Sequence, residues 1–280
     1  MSRGAIQGLL PGLKKEYPWL SDAYSQCLQF VALNLSRAYQ NFFDKRAKLP
    51  RFKSKHGRQS MSYPANVRFE GDYLKLHRKI GKVYCRRHRD CEGTIKTVTI
   101  SKNSDGKYYA SVTVDDGLEK PETSTEGKAV GIDLGLTDLA VTSDGSKFDN
   151  PRYLAKHQQN LKRKQQKLSR KQKGSNTRQK ARQSVAKIHS KIARCREDFL
   201  HKLSRKIVNE NQVIAVENLN VKGMVKNHKL AKAISDCCWG MFCTMLKYKA
   251  ENEVGQYIDI RVQFEGIVLR PLLLGMHASR

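Results

Sequence analysis

The spacing of apolar positions changes period several times along the chain. Cys27, Val31, Leu35, Ala38 and Phe42 recur at helical intervals, which predicts a helix over 22–46 with that face toward a core. Ser21 is expected to cap it; Leu28, Leu33, Tyr39 and Phe43 widen the apolar face. Residues 1–18 are broken by glycine and proline and read as the end of a longer element. From 60 to 116 the period falls to two, with short strands at 67–69, 73–76 and 82–84. A hairpin at 94–101 and 108–114 turns on Asn103-Ser104-Asp105-Gly106. The polar stretch 117–127, with Pro121, reads as a linker. Val130 and Ile132 lead a strand into Asp133, and 139–142 form a second strand before the turn Ser143-Asp144-Gly145-Ser146. Leu154, Leu161 and Leu168 then repeat every seven residues. After a break at Gly174-Ser175-Asn176, Ile188, Ile192, Cys195, Phe199, Leu203 and Ile207 resume a helical seam, so 151–206 is expected to form an antiparallel helical hairpin. A buried-type strand at 212–219 follows. A helix is predicted over 232–251, with Ile234, Cys238, Met241, Met245 and Tyr248 on one side and Trp239, Phe242 and Leu246 broadening it. A last strand is expected over 256–262.

Charge changes this picture. The 280 residues carry 53 Lys+Arg against 26 Asp+Glu, a formal net charge of +27. An excess of that size points to a polyanionic partner. No apolar run approaches a membrane span, and no signal peptide is visible at the start. Seven cysteines without paired spacing fit a reducing, cytoplasmic setting better than a disulfide framework. The excess is concentrated: 151–206 holds 19 Lys/Arg against Glu197 and Asp198. Lys162, Arg163, Lys164, Lys167, Arg170 and Lys171 are the candidates there for sequence-independent phosphate contact, because a helix of one charge sign repels itself without an anion beside it. In 46–55, Arg51, Lys53 and Lys55 surround Phe52, a pattern suited to stacking a base while cations hold phosphates. Arg86, Arg87 and Arg89 form a further basic cluster.

The candidate chemistry lies in two acids. A carboxylate on a core strand is costly unless paired or bound to a metal. Asp133, in Gly131-Ile132-Asp133-Leu134-Gly135, and Glu217, in Val213-Ile214-Ala215-Val216-Glu217, end two such strands. Two acids on core strands are the minimum for a shared divalent cation, and Gly131 and Gly135 leave room for a close approach. Cys85, His88 and Cys91 lack the fourth ligand of a structural zinc, so no zinc is expected. An actin-like ATPase would need a second phosphate loop and an adenosine-binding glycine motif, and neither is found.

The set GIDLG with LAVTSDG, the basic helices, VIAVENLNVKGM and MLKYKAE, with PRFKSK, SYPANVRFE and RRHRDCEGTIKTVTIS, resembles the OrfB/TnpB proteins of bacterial insertion sequences over roughly 10–260. The resemblance implies an α/β fold: an RNase H-like (RuvC-like) core, incomplete here, with an N-terminal helix, a β-barrel-like oligonucleotide-binding domain and a basic helical hairpin insertion. It also implies kinship with type V CRISPR nucleases and a role in DNA transposition and recombination, with DNA cut under the guidance of an RNA from the transposon end. By position, Asp133 becomes the first catalytic acid and Glu217 the second, both holding Mg²⁺. The domain boundaries that follow are 1–59 helical, 60–120 β-rich, 121–127 linker, 128–262 RuvC-like with the hairpin at 151–206, and 263–280 an unrelated tail.

The departures set further expectations. The family's CxxC…CxxC zinc ribbon and third catalytic aspartate have no counterpart here, and the chain is expected to be truncated at both ends. Asp259 and Asp236 are not assigned catalysis. Mg²⁺ binding is therefore expected to be weak or lost, and cleavage impaired. A non-catalytic RNA- or DNA-binding protein and a decayed gene fragment are the alternatives.

Overall fold

In the computed structural model, the described residues are 2–260 except 55, 56, 58, 78, 79, 88, 89, 91, 120, 121, 123–125 and 254. Lys55, Arg89, His88, Cys91 and the tail 263–280 lie outside them. By internal contacts the chain divides into two units. One is Met1–Glu119 with Arg182–Lys187, and the other is Lys120–Ala181 with Ile188–Arg280.

The first unit opens with helices α1 (Arg3–Gly8) and α2 (Leu10–Glu16), then a 3-10 turn at Pro18–Asp22 and α3 (Ser25–Phe43). The predicted start of α3 is corrected here: Ser21 lies inside the turn that Pro18 opens, and Tyr24 occupies the cap position. The predicted face is also corrected. Cys27 is buried, but Ala32 is the other buried position, while Val31, Leu35 and Phe43 are exposed. The helix is apolar on more than one side, and this unit's core uses one of them.

The strands are β1 (Gln59–Tyr63), β2 (Arg68–Glu70), β3 (Tyr73–Lys75), β4 (Lys82–Tyr84), β5 (Thr94–Lys102) and β6 (Tyr108–Asp115). They form two antiparallel sheets of three strands, β1-β5-β6 and β2-β3-β4. Strand β1 was not anticipated, because its sequence QSMSY is mostly polar. The β5–β6 turn works as its sequence suggests. Gly106 takes φ +86, the Asn103 N–H donates to the Lys107 carbonyl at 2.9 Å, and the Asp105 carboxylate accepts from the Lys107 N–H at 3.1 Å. Cys27, Tyr63, Leu74, Leu76 and Val98 make the core.

The second unit is built on one mixed sheet. It contains β7 (Ala129–Asp133), β8 (Asp138–Thr142), β9 (Lys147–Asp149), β10 (Val213–Glu217) and β11 (Gln256–Ile260), in the order β11-β10-β7-β8-β9. The three strands β7, β8 and β9 meander antiparallel, while β10 and β11 run parallel to β7. The helices are α4 (Tyr153–Ser169), α5 (Asn176–Glu210), α6 (Val221–Met224), α7 (Ala231–Cys237) and α8 (Trp239–Asn252). Sheet residues Ile132, Leu139, Ile214 and Val216 bury against Leu200, Leu203 and Ile207 of α5 and Ile234, Phe242 and Leu246 of α7 and α8.

Two expectations are corrected in this unit. The single helix predicted over 232–251 is broken at Cys238, which takes the left-handed conformation (φ 54, ψ 38). A residue there cannot continue a right-handed helix. The break also turns the buried face, which carries Cys237, Trp239, Phe242 and Met245, while Met241 and Tyr248 are exposed. Between α4 and α5, Gly174 is left-handed (φ 86) and Ser175 caps α5 through the Arg178 N–H at 3.2 Å. Arg178 then folds back, donating from Nη1 to the carbonyls of Leu168 (3.0 Å) and Lys171 (2.7 Å). One side chain so adds a hydrogen bond to a carbonyl in the last turn of α4 and takes up another in the link beyond it.

Candidate functional site

Backbone pairing brings the two acids together. Parallel β7 and β10 are in register from Val213↔Ala129 to Val216↔Ile132. The next step along each strand is Glu217 and Asp133. Side chains alternate across a sheet; Val130, Ile132, Ile214 and Val216 point into the core, so both acids fall on the opposite face. Asp133 is the last residue of its strand and is exposed. Gly135, just beyond, has a measurable role: a Cβ there would stand 2.7 Å from the Asp138 carbonyl oxygen. The tight link from β7 to β8 therefore needs a residue without one. Gly131 has no such constraint, its nearest contact being the Ser143 Cβ at 3.6 Å.

The carboxyl of Glu217 is pushed above the usual range. Burial is the largest cause, followed by a side-chain hydrogen bond with Asp133 and that residue's charge. Two carboxyls in such contact repel when both are ionised, and the repulsion is relieved by a proton or a cation between them. Because the folded-state value is raised, the folded protein bears its full cost above that value. The cost is relieved as pH falls through it, since the folded state then takes up its proton before the unfolded state does. Glu217→Gln is therefore expected to be more stable than the parent at pH 8, with the two converging as pH drops below the ordinary glutamate range. Denaturant melts across pH check this; equal stability at pH 8 would count against the acid contact.

Around the acids, Asn218 donates its N–H to the Ile260 carbonyl at 2.7 Å, and Asn220 caps α6 through the Gly223 N–H at 3.0 Å. Asp259 accepts from the Tyr257 hydroxyl at 3.0 Å. Among the described residues no group of three or more His, Cys, Asp or Glu is placed to hold a metal. The donor set at hand is two carboxylates, hard oxygen ligands that suit Mg²⁺ rather than zinc. Cys85 is half-buried and free.

The basic candidates are disposed as follows. Arg51 and Lys53 are exposed, with Phe52 between them fully solvent-facing. Arg86 is exposed; Arg87 pairs with Asp90 at 3.2 Å and lies over the Phe69 ring at 5.2 Å. On α4, Lys162, Arg163, Lys164 and Lys167 are exposed; at its end Arg170 is exposed and Lys171 half-buried. Arg163 and Lys164 lie four and three residues before Lys167, so these three share one side of α4, while Arg170 caps the end of the helix and Lys171 follows it. Leu161 is buried, and Leu154 and Leu168 fall on its side of the helix.

Sequence reasoning gave Asp236 no role. Its carboxylate accepts from the Leu154 N–H (3.1 Å) in the first turn of α4 and from Arg196 Nε (2.8 Å) of α5. It is a structural tie from α7 to both basic helices. An acid within an apolar helical pattern was the only signal for it.

A mixed α/β protein with paired acids at neighbouring parallel strand ends and a basic helical arm is the class so far defined. Comparison with known proteins narrows it. Residues 108–228 match the OrfB_IS605 family, described as a probable transposase. A putative RNA-guided DNA endonuclease of Streptomyces pristinaespiralis is 39% identical over 239 residues, covering 84% of this chain and 59% of that protein. The putative RNA-guided DNA endonuclease InsQ of Escherichia coli K12 is 37% identical over 213 residues, covering 76% and 52%. By these matches the chain belongs to the OrfB/TnpB family, and it spans a little over half the length of those two relatives. Among solved structures, a Cas12f1–sgRNA–target DNA complex aligns over 85% of this chain and 61% of its own, with a TM-score of 0.47 and 12% identity. A CRISPR–Cas12f ternary complex aligns with a TM-score of 0.35 and 11% identity, covering 85% and 60%. Among the described residues no helix is long and apolar enough to cross a membrane.

Proposed function

We propose that the chain is a transposon-encoded, nucleic-acid-binding protein of the RNA-guided DNA endonuclease lineage, with an RNase H-like (RuvC-like) core in which Asp133 and Glu217 hold Mg²⁺. The observation that carries this is the placement of the two acids on adjacent parallel strands, close enough for Asp133 to raise the carboxyl of Glu217. A cation would remove the repulsion that the fold otherwise imposes. Three antiparallel strands continued by two parallel ones supply the sheet such a core requires. The names of the relatives support DNA and a guiding RNA as partners; the origin of that RNA in the transposon end is part of the proposal. When bound, the metal supplies Lewis-acid activation of water and stabilisation of a leaving oxygen. The chain's own residues position it and hold the substrate: Asp133 and Glu217 as ligands, and the cations of α4 on phosphates.

Only two acids converge among the described residues. The 280-residue chain is therefore expected to bind Mg²⁺ weakly and to cut DNA poorly or not at all. Isothermal titration with Mg²⁺ and Mn²⁺ should show weak binding that strengthens as pH rises through the raised value of Glu217 and disappears in Asp133→Ala. Metal binding unchanged in Asp133→Ala would defeat the assignment. Vigorous Mg²⁺-dependent cutting, abolished by Asp133→Ala, would sustain the nuclease and remove the impairment. The second reading, a binder without catalysis, is favoured by the charge of the basic helices and predicts nucleic-acid affinity indifferent to Asp133→Ala.

A further inference from the structure

The three-stranded sheet β2-β3-β4 has two unlike faces. Phe69 and Leu74, cross-strand partners, point inward to the core of the first unit. By alternation the other face carries Arg68, Glu70, Tyr73, Lys75, Lys82 and Tyr84. Tyr73 and Tyr84 are directly opposite in the register, their rings edge to face with centroids 6.0 Å apart. They are 48% and 65% exposed, although aromatic rings of this size ordinarily bury much of their area. Beside them, three cations converge on one acid: Glu70 receives Arg68 at 2.9 Å, Lys75 at 3.2 Å and Lys82 at 2.7 Å. The clamp holds the Glu70 carboxyl down to about 2, the Lys82 bond being the largest cause. One acid fixes all three cations yet neutralises only one, so a net positive charge stands beside two exposed rings.

We propose that this outer face is a stacking platform for unpaired nucleotides of RNA, with Tyr73 and Tyr84 taking bases and Arg68, Lys75 and Lys82 taking the adjoining phosphates. Exposed rings among ordered cations fit a single strand. A duplex keeps its bases stacked inside and offers an aromatic side chain nothing to stack on. The choice of RNA over DNA rests on the function proposed above, in which the guide supplies the unpaired strand. The strand pattern Tyr-Leu-Lys and Lys-Val-Tyr, read as antiparallel neighbours, already places both tyrosines on one face.

The test is fluorescence anisotropy of the full chain with a labelled 12-nucleotide RNA, the DNA strand of the same sequence, and the DNA duplex. Tyr73→Ala and Tyr84→Ala should each weaken RNA binding by about ten- to a hundredfold. Duplex binding and the salt slope for RNA should be unchanged, since no phosphate contact is lost. Unchanged RNA affinity, or an equal loss on the duplex, overturns the proposal. An equal loss on single-stranded DNA, with no preference for RNA, overturns the choice of RNA. Should the alanine variants fail to fold, Tyr84→Trp provides a direct reading: its added emission should be quenched by the RNA, and an unquenched signal with RNA bound overturns the platform. The metal titration of Asp133→Ala is independent of these measurements, so failure of the nuclease reading and failure of the platform are seen separately.

Discussion

Asp236→Ala is expected to cost the protein about 3 kcal/mol. The side chain of Asp236 is 8% exposed and that of its partner Arg196 is 20%. Removing the acid strands a guanidinium in a site where water reaches it poorly, and the penalty comes from that orphaned charge rather than from the pair's own attraction. The substitution also takes the acceptor from the Leu154 N–H and a negative charge from the first turn of α4. Urea melts should show the midpoint falling. Thermal melts should fall by roughly 6–12 °C, as expected for a unit of this size. The double variant Asp236→Ala/Arg196→Met should recover most of the loss, because the stranded charge goes with the arginine. A single variant as stable as the parent would mean that Arg196 finds water or another acceptor.

The second large effect concerns binding. Replacing Arg163, Lys167 and Arg170 together by alanine should weaken affinity for a DNA duplex by a few hundredfold at about 0.1 M salt. The plot of log affinity against log salt should become shallower by about 2.7, at roughly 0.9 per phosphate contact. All three are exposed and lie away from the buried Leu161, so the fold should survive. A weaker complex with an unchanged salt slope would place the phosphates elsewhere.

Much of this was legible in the sequence, for identifiable reasons. Strands β7 and β10 are short apolar runs ending in an acid, which suggested a shared cation, and the family resemblance added the catalytic roles. Their adjacency is a matter of register, which no single strand encodes. The helix break was invisible because Cys238 is neither glycine nor proline, although it takes the left-handed conformation just before the buried Trp239 and Phe242. The face of α3 was misjudged because an apolar residue at nearly every turn of its circumference leaves the choice of side to the partner sheet. The tie made by Asp236 was not legible because its partners, Leu154 and Arg196, are 82 and 40 positions away.

The spacing between Asp133 and Glu217 is set by main-chain hydrogen bonds between β7 and β10, which ask nothing of either side chain. With Asp133 holding the metal as proposed, a single nucleotide change from aspartate to asparagine would remove that ligand and leave the sheet, its core and the basic helices standing. Chemistry held this way is lost by one substitution without loss of the fold, whereas moving the acids apart would require the whole strand to slip and turn its core face to water.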